Sequence, residues 1–210
     1  MKPLSQGQIE NELKVYGVVA NCELSGAVLT YVELLLKWNS KISLTTVTDP
    51  TEIVRFHFGE SFFAGPKLGI LHGRLADVGS GAGFPGLPLK MLSPEIELYL
   101  IEPNLKKAAF LSEVTRELKL DGVEVVRFGI EDLPIAYAEF DVITSRALGR
   151  YASLLRWSRN RLSPVGKVAL WVGDSDATEL LKDAHWTWRD PLRVPASVHR
   201  VIVTGIPNLA

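Results

Sequence analysis

Cysteine is nearly absent from this chain. Cys22 is the only one in 210 residues, which excludes a disulfide framework and a thiolate metal site. Histidine is scarce as well, and no second one lies at ligand spacing from His57, so no metal centre is expected. Neither sign of charge dominates: at a net charge of −1, a nucleic-acid partner would have to be met by a local basic face. No apolar run reaches the length that crosses a bilayer, and the opening MKPLSQGQIE has no apolar signal region. A cytoplasmic protein without a membrane partner is expected. Internal repeats and low-complexity stretches are missing too. The remainder, 47% hydrophobic and 22% charged, suits one main soluble domain with a modest extension.

Glycine, by contrast, is concentrated in one place. Residues Leu75 to Gly86 read LADVGSGAGFPG, an apolar run carrying one acid that enters Gly79, Gly81, Gly83 and Gly86. Glycines at this density let the backbone turn tightly and approach a ligand closely. Pro85 suits the first turn of a following helix. The pattern is strand, glycine loop, helix, and it points to a nucleotide-type ligand. Two frames compete. Gly81, Gly83 and Gly86 fit the dinucleotide pattern G-x-G-x-x-G. The frame Asp77-x-Gly79-x-Gly81-x-Gly83 instead places an acid at the carboxyl end of the strand. A carboxylate there repels a pyrophosphate but suits S-adenosylmethionine, which carries an ammonium and a sulfonium. Glu102 ends the apolar run Leu98–Ile101 and can accept hydrogen bonds from ribose hydroxyls of either ligand.

Upstream, residues 1–65 carry helical periodicity and form an N-terminal helical extension; residues 66–210 form the main domain. Val28, Leu29, Val32, Leu35 and Leu36 recur at helical spacing, and Asp49-Pro50 is a helix start signal. In RFHFGESFFAG, Arg55, His57, Glu60 and Ser61 interleave with four phenylalanines, which predicts an amphipathic helix with an aromatic inner face. From Leu75 onward, strands are predicted at Leu75–Val78, Glu97–Ile101, Val123–Phe128, Phe140–Thr144, Lys167–Val172, Trp186–Arg193 and Arg200–Gly205. Helices are predicted at Pro85–Leu92, Asn104–Leu120 and Arg150–Arg161. This alternation means right-handed crossovers and a mainly parallel sheet, with the last two strands forming an antiparallel hairpin edge. An α/β, Rossmann-like sheet of seven strands with a reversed edge strand is the architecture of the class I methyltransferases. Ligands in such sheets sit at the carboxyl ends of the strands.

Further candidates lie at those ends. Ile130, Glu131 and Asp132 follow the third strand, where a class I enzyme meets adenine with an amide, an acid and an apolar cover; a helix-start acid is the plainer alternative. After the fourth strand comes Asp141-Val-Ile-Thr-Ser145-Arg146-Ala147, with neither the Asn/Asp-Pro-Pro-aromatic motif of amine methylases nor the Pro-Cys nucleophile of pyrimidine carbon methylases. The target then needs neither amine desolvation nor covalent activation. A guanine ring nitrogen with an in-plane lone pair fits, with positioning and electrostatics in place of a general base. Arg146 reads as a contact to cofactor carboxylate or substrate. Arg150, Arg156 and Arg159, with Arg161, Lys167, Lys106, Lys107 and Arg55, could make a phosphate-binding rim; Arg156 and Arg159, three apart, share a helix face.

The segments LLLKWNSKISLTTVTDPTEIVRFHFGES, LADVGSGAGFPGLPL and FDVITSRAL, in this order, resemble the ribosomal small-subunit guanine-N7 methyltransferases, formerly called glucose-inhibited division protein B. The resemblance runs from about Leu24 to the end. It implies methylation of one guanine of 16S ribosomal RNA near the decoding region, with S-adenosylmethionine as cofactor and the RNA or the small subunit as partner. It also implies cofactor contacts at Gly79, Phe84, the Ile130–Glu131 pair and Arg146, with acids at Asp77 and Glu102. The chain departs from the family pattern at Ser43, where asparagine is usual, and at Gly59-Glu60, where Leu-Asp is common. Val172 stands in place of a lysine, and the stretch between Asp174 and Trp186 is short. A monomer is expected. The alternatives are a class I methyltransferase acting on a protein or small molecule, a nicotinamide-dependent oxidoreductase, and a non-catalytic RNA-binding or division-regulating protein.

Overall fold

A computed structural model describes residues 4–146 and 149–208. The chain opens with α1 (Gln6–Lys14), whose Ser5 and Gln8 form a reciprocal capping box, and α2 (Cys22–Asn39), capped by Asn21. Asp49 then starts a rod as the sequence predicts. Its carboxylate accepts from the Glu52 N–H at 3.0 Å, and Pro50 occupies the first turn. The rod runs through α3 (Pro50–Ile53), a wide π-helical turn (Val54–Gly59) and α4 (Glu60–Leu68), and ends at Gly69 in the left-handed conformation. Such wide turns are uncommon and gather at functional sites.

The amphipathic expectation for this rod is corrected. His57, Glu60 and Ser61 are buried along with Phe58 and Phe62, because the rod is packed between α1, α2 and α5 and has little outer face. At Gly59 a β-carbon would fall inside the Tyr16 ring, so this close approach requires glycine.

Next, β1 (Gly73–Val78), α5 (Gly86–Leu92), β2 (Ile96–Ile101), α6 (Leu105–Glu117), β3 (Val123–Val126), β4 (Phe140–Arg146), α7 (Tyr151–Arg159) and β5 (Leu162–Gly173) alternate. They are followed by α8 (Asp174–Leu180), β6 (Trp186–Trp188), β7 (Leu192–Arg193) and β8 (Arg200–Pro207). The strand order is β3-β2-β1-β4-β5-β8-β6, with β7 beside β6 on the outer flank of β8. All pairs from β3 to β5 are parallel and all pairs of β8 are antiparallel.

The expected class and alternation are present, with the reversed strand in a different place. β8 lies one position in from the edge, and the edge itself is the broken pair β6 and β7. Val201, Ile202 and Val203 of β8 are buried and belong between two neighbours, whereas Pro191 interrupts the predicted Trp186–Arg193 strand, and proline is tolerated at an edge.

Alternate residues of the strands feed two cores, as expected for a sheet covered on both faces. Leu75, Leu98, Leu100, Val142, Ala169, Trp171 and Ile202 join the helices before the sheet, α5 and α6. Ala76, Val78, Ile143, Val168, Leu170 and Val203 join α7 and α8. The first core runs unbroken from Ile9 through Tyr31 and Phe58 to the sheet. Val172 faces the second core and is 5% exposed. The strand order reverses between β1 and β4, and a crevice opens at their carboxyl ends.

Candidate functional site

The glycine loop leaves β1 at this crevice. Gly79, Gly81 and Gly83 have φ of 69°, 55° and 86°, a region that only glycine enters freely. Amides of Gly79 and Ser80 donate to the Ile101 carbonyl at 2.9 and 3.2 Å, so the β1–β2 pairing extends into the loop. Glu102 closes the other side. One carboxylate oxygen accepts from the Gly81 N–H and the other from the Asn104 N–H, both at 2.9 Å. The helix begins at Gly86, and Pro85 is its capping residue, one place earlier than expected.

Asp77 does not stand as an open counter-charge. Its carboxyl is fully buried on the α5 side of the sheet, where it accepts from the Gly86 N–H at 3.2 Å and the Thr144 hydroxyl at 2.9 Å. Burial pushes its titration up to about 7 against those hydrogen bonds. The repulsion between Asp77 and a pyrophosphate, which the sequence suggested, therefore loses much of its force: the carboxyl is enclosed, hydrogen-bonded within the fold and only partly ionised at neutral pH. In this arrangement Asp77 ties the loop to α5 and β4.

Beside the loop lies a cleft of about 100 Å³ lined by Val78, Gly79, Ile101, Pro103, Phe128, Gly129, Ile130, Glu131, Arg150 and Ser153. Its walls are mostly apolar, Phe128 is 44% exposed, and the acid Glu131 stands at the rim. A flat heteroaromatic ring with polar edges suits such a slot. Gly79, Ile130 and Glu131 thus meet in one cleft, with Glu102 beyond Ile101. Phe84 does not line it. Its ring is buried on the helical side, stacked on Tyr31 at 5.3 Å and beside His57 at 4.7 Å.

Tyr31 is a residue the sequence reading did not single out. Its hydroxyl donates to the Ala82 carbonyl at 2.6 Å, so α2 holds the glycine loop directly. An aromatic residue on an apolar helix face reads as core, and nothing local distinguished this one.

Arg146 ends β4 with only 15% of its side chain exposed. It donates to the Phe56 carbonyl of the π-helical turn at 2.8 Å and lies 3.7 Å from Glu60. The other Glu60 oxygen accepts from Arg200 at 2.6 Å, and the Arg200 guanidinium lies over the Phe56 ring. Burial pulls Arg146 down to about 10, opposed by Glu60, and pushes the Glu60 carboxyl up against the pull of both arginines. His57 is driven down to about 3 by burial and by Arg146, so it is neutral; its Nε2 pairs with the Thr45 hydroxyl at 3.0 Å. Ala147 lies outside the described residues.

The basic residues separate. Arg150 lines the cleft, and Arg156 lines an adjoining hollow with Ile130, Glu131 and Trp157. Arg159 lies nine residues beyond Arg150, about 13 Å along the helix. It lines a groove with Lys167 and Arg189 at the opposite end of the strands. Arg156 and Arg159 therefore line different hollows, as α7 descends from the carboxyl toward the amino ends of the sheet. Arg161 is spent on the carbonyls of Leu133, Pro134 and Tyr137, Arg55 pairs with Glu12, and Lys167 donates to the Leu68 carbonyl. Lys106 and Lys107 stay near the crevice in the first turn of α6. Among the described residues, no cluster of acids, histidines or cysteine could hold a metal, and no helix is long and apolar enough to cross a membrane.

Residues 25–197 match a family model described as rRNA small subunit methyltransferase G. A ribosomal RNA small subunit methyltransferase G of Desulfitobacterium hafniense is 43% identical over 146 residues, which cover 66% of this chain and 60% of that one. The chain thus spans about three-fifths of that relative's length. The protein of the same name from Stenotrophomonas maltophilia is 35% identical over 188 residues, covering 87% of each. Among solved structures, an S-adenosylmethionine-dependent methyltransferase from Aquifex aeolicus superimposes with a TM-score of 0.58 at 20% identity, over 75% of this chain and 97% of that one. A ribosomal protein L11 methylase from Lactobacillus delbrueckii gives 0.60 at 11% identity, over 74% and 80%.

Proposed function

Because the chain belongs to the rRNA small subunit methyltransferase G family and has the class I methyltransferase fold, we propose that it forms 7-methylguanosine at one guanine of 16S ribosomal RNA. The methyl group would come from S-adenosylmethionine. The observation that carries this reading is the cleft beside the glycine loop: apolar walls for adenine, Glu131 at its rim, and Glu102 beyond Ile101 to accept from ribose hydroxyls. Bound there, S-adenosylmethionine supplies an electrophilic methyl group on a sulfonium.

The chain's own residues position and polarise. Gly79 and Gly81 let the backbone come close to the ligand, and Phe84 acts from behind by bracing the loop against Tyr31 and His57. Arg146 would meet the cofactor carboxylate or the RNA. Taken with Glu60 and both arginines charged, the group Arg146–Glu60–Arg200, buried at its first two members and half-exposed at Arg200, carries one surplus positive charge, which favours an anionic group at this end of the sheet. A guanine N7 attacks through a lone pair and loses no proton at that nitrogen. This agrees with His57, which is neutral, hydrogen-bonded to Thr45 and set behind the loop rather than poised as a base. Arg150 and Arg156, beside the cleft, would steer the RNA backbone, with Arg159 a separate and more distant contact. The helical extension, residues 1–65, would brace the loop as the enzyme works as a cytoplasmic monomer on RNA or the small subunit.

Methyl transfer from labelled S-adenosylmethionine to 16S RNA and to small subunits from a strain lacking this protein tests the reading. Label mapped to a single 7-methylguanosine supports it. Cofactor binding with no label in either substrate would keep the fold and overturn the substrate.

A further inference from the structure

Glu60 is given no contact with cofactor or RNA above, yet among the described residues it is one of the most enclosed charged groups, with 1% of its side chain exposed. Burying a carboxylate is costly unless it is paired, and removing its counter-charges or the carboxylate itself leaves uncompensated charge in a dry place. Here it has two partners from distant parts of the chain. One oxygen takes a short hydrogen bond from Arg200 at the start of β8. The second oxygen lies 3.7 Å from Arg146 and has no hydrogen-bond partner among the described residues. Without Glu60, Arg146 and Arg200 would face each other across the π-helical turn with only the Phe56 carbonyl and ring between them.

The wide turn is what brings Glu60 inward: the Tyr16 ring packs on Gly59, and the next residue turns to the end of β4.

We propose that Glu60 is a positioning residue: shared with Arg200, its carboxylate holds the Arg146 guanidinium at the carboxyl end of β4, where Arg146 receives an anionic group of cofactor or RNA. This rests on the methyltransferase reading of the same site. Arg200, on the C-terminal hairpin, is the third member of the device and couples that hairpin to the ligand end of the sheet.

The test is a double-mutant cycle on the full chain, read by S-adenosylmethionine affinity in calorimetry and by KM and kcat on RNA, with folded content followed by circular dichroism. Glu60→Gln is expected to weaken the Arg146-dependent step about 10- to 100-fold, the scale of a misplaced binding group. Added to Arg146→Ala, it should cost almost nothing more, since it acts through the group already removed. Glu60→Asp, which restores the acid common in the family, should recover most of the loss. Arg200→Met, at a half-exposed position, serves if Glu60→Gln fails to fold, and should show the same non-additivity. Additive losses, or a Glu60→Gln protein with wild-type KM, kcat and affinity, would refute the positioning role. A wild-type protein that binds no S-adenosylmethionine and methylates no RNA would overturn the premise, and with it the proposal; that failure is seen before any variant is made.

Discussion

Asp77→Asn isolates the cost of an ionisable group in the middle of the sheet. The carboxyl is fully buried, with Gly86 N–H on one oxygen and the Thr144 hydroxyl on the other. Asparagine fits the same place. Its carbonyl oxygen can accept from Gly86, and its amide can donate to the Thr144 oxygen if that hydroxyl turns to the Ala76 carbonyl, already 3.4 Å away. Only the proton chemistry is removed. An Asp that titrates near 3.8 when exposed and at about 7 when folded carries a difference of about 4 kcal/mol. The sign follows from the raised value. Below pH ~4 both states are protonated and the carboxyl burial costs nothing extra. As pH climbs toward 7 the unfolded chain releases its proton while the folded one keeps it, and stability falls; above that the full loss persists. The Asp77→Asn protein lacks this decline, so relative to wild type it should gain about 4 kcal/mol between pH ~4 and ~8. Urea unfolding followed by tryptophan fluorescence at three pH values measures the difference directly. A gap between the two proteins that does not change with pH would refute the argument. Cofactor affinity gives a second readout: Asp77→Asn should bind far better than Asp77→Ala, whereas a direct counter-charge would be lost equally in both.

Tyr31→Phe deletes one oxygen and orphans the Ala82 carbonyl of the glycine loop. Stability should drop by about 1–3 kcal/mol, and S-adenosylmethionine affinity should fall with it; calorimetry showing unchanged affinity would separate α2 from the ligand loop. His57→Gln should flatten the acid limb of the stability curve. The His57 value is depressed from 6.5 to about 3, so its contribution is complete above pH 6.5 and is lost as pH falls toward 3. An acid limb identical to wild type would contradict the buried neutral imidazole.

Local chemistry was legible in the sequence where neighbours along the chain decide the structure. Asp49 and Pro50 start a helix because capping involves residues three apart, and the glycines fix the loop because positive φ is a property of single residues. Apolar runs made the strands visible, because a sheet covered on both faces buries consecutive strand residues. What the sequence hid depends on partners far away. Glu60 meets Arg200 across 140 positions, and no window of sequence contains both. The spacing of Arg156 and Arg159 was read correctly as helical, but it does not say that Arg156 lines a hollow beside the cleft while Arg159 lines a groove at the amino ends of the strands. The inward placement of β8 likewise follows from which strand can be buried on both flanks. Asp77 was legible as an acid at the right turn, while its raised titration comes from an enclosure that only the packed sheet supplies.

The contact between Gly59 and Tyr16 carries a consequence for how this sequence can drift. The space a side chain at position 59 would fill is taken by the Tyr16 ring. A bulky residue can enter position 59 only if position 16 gives up its ring. Taken singly, either change leaves the core overfilled or hollow, by about 1–5 kcal/mol. The two sites are locked to one another, so a change at either is tolerated only with a compensating change at the other.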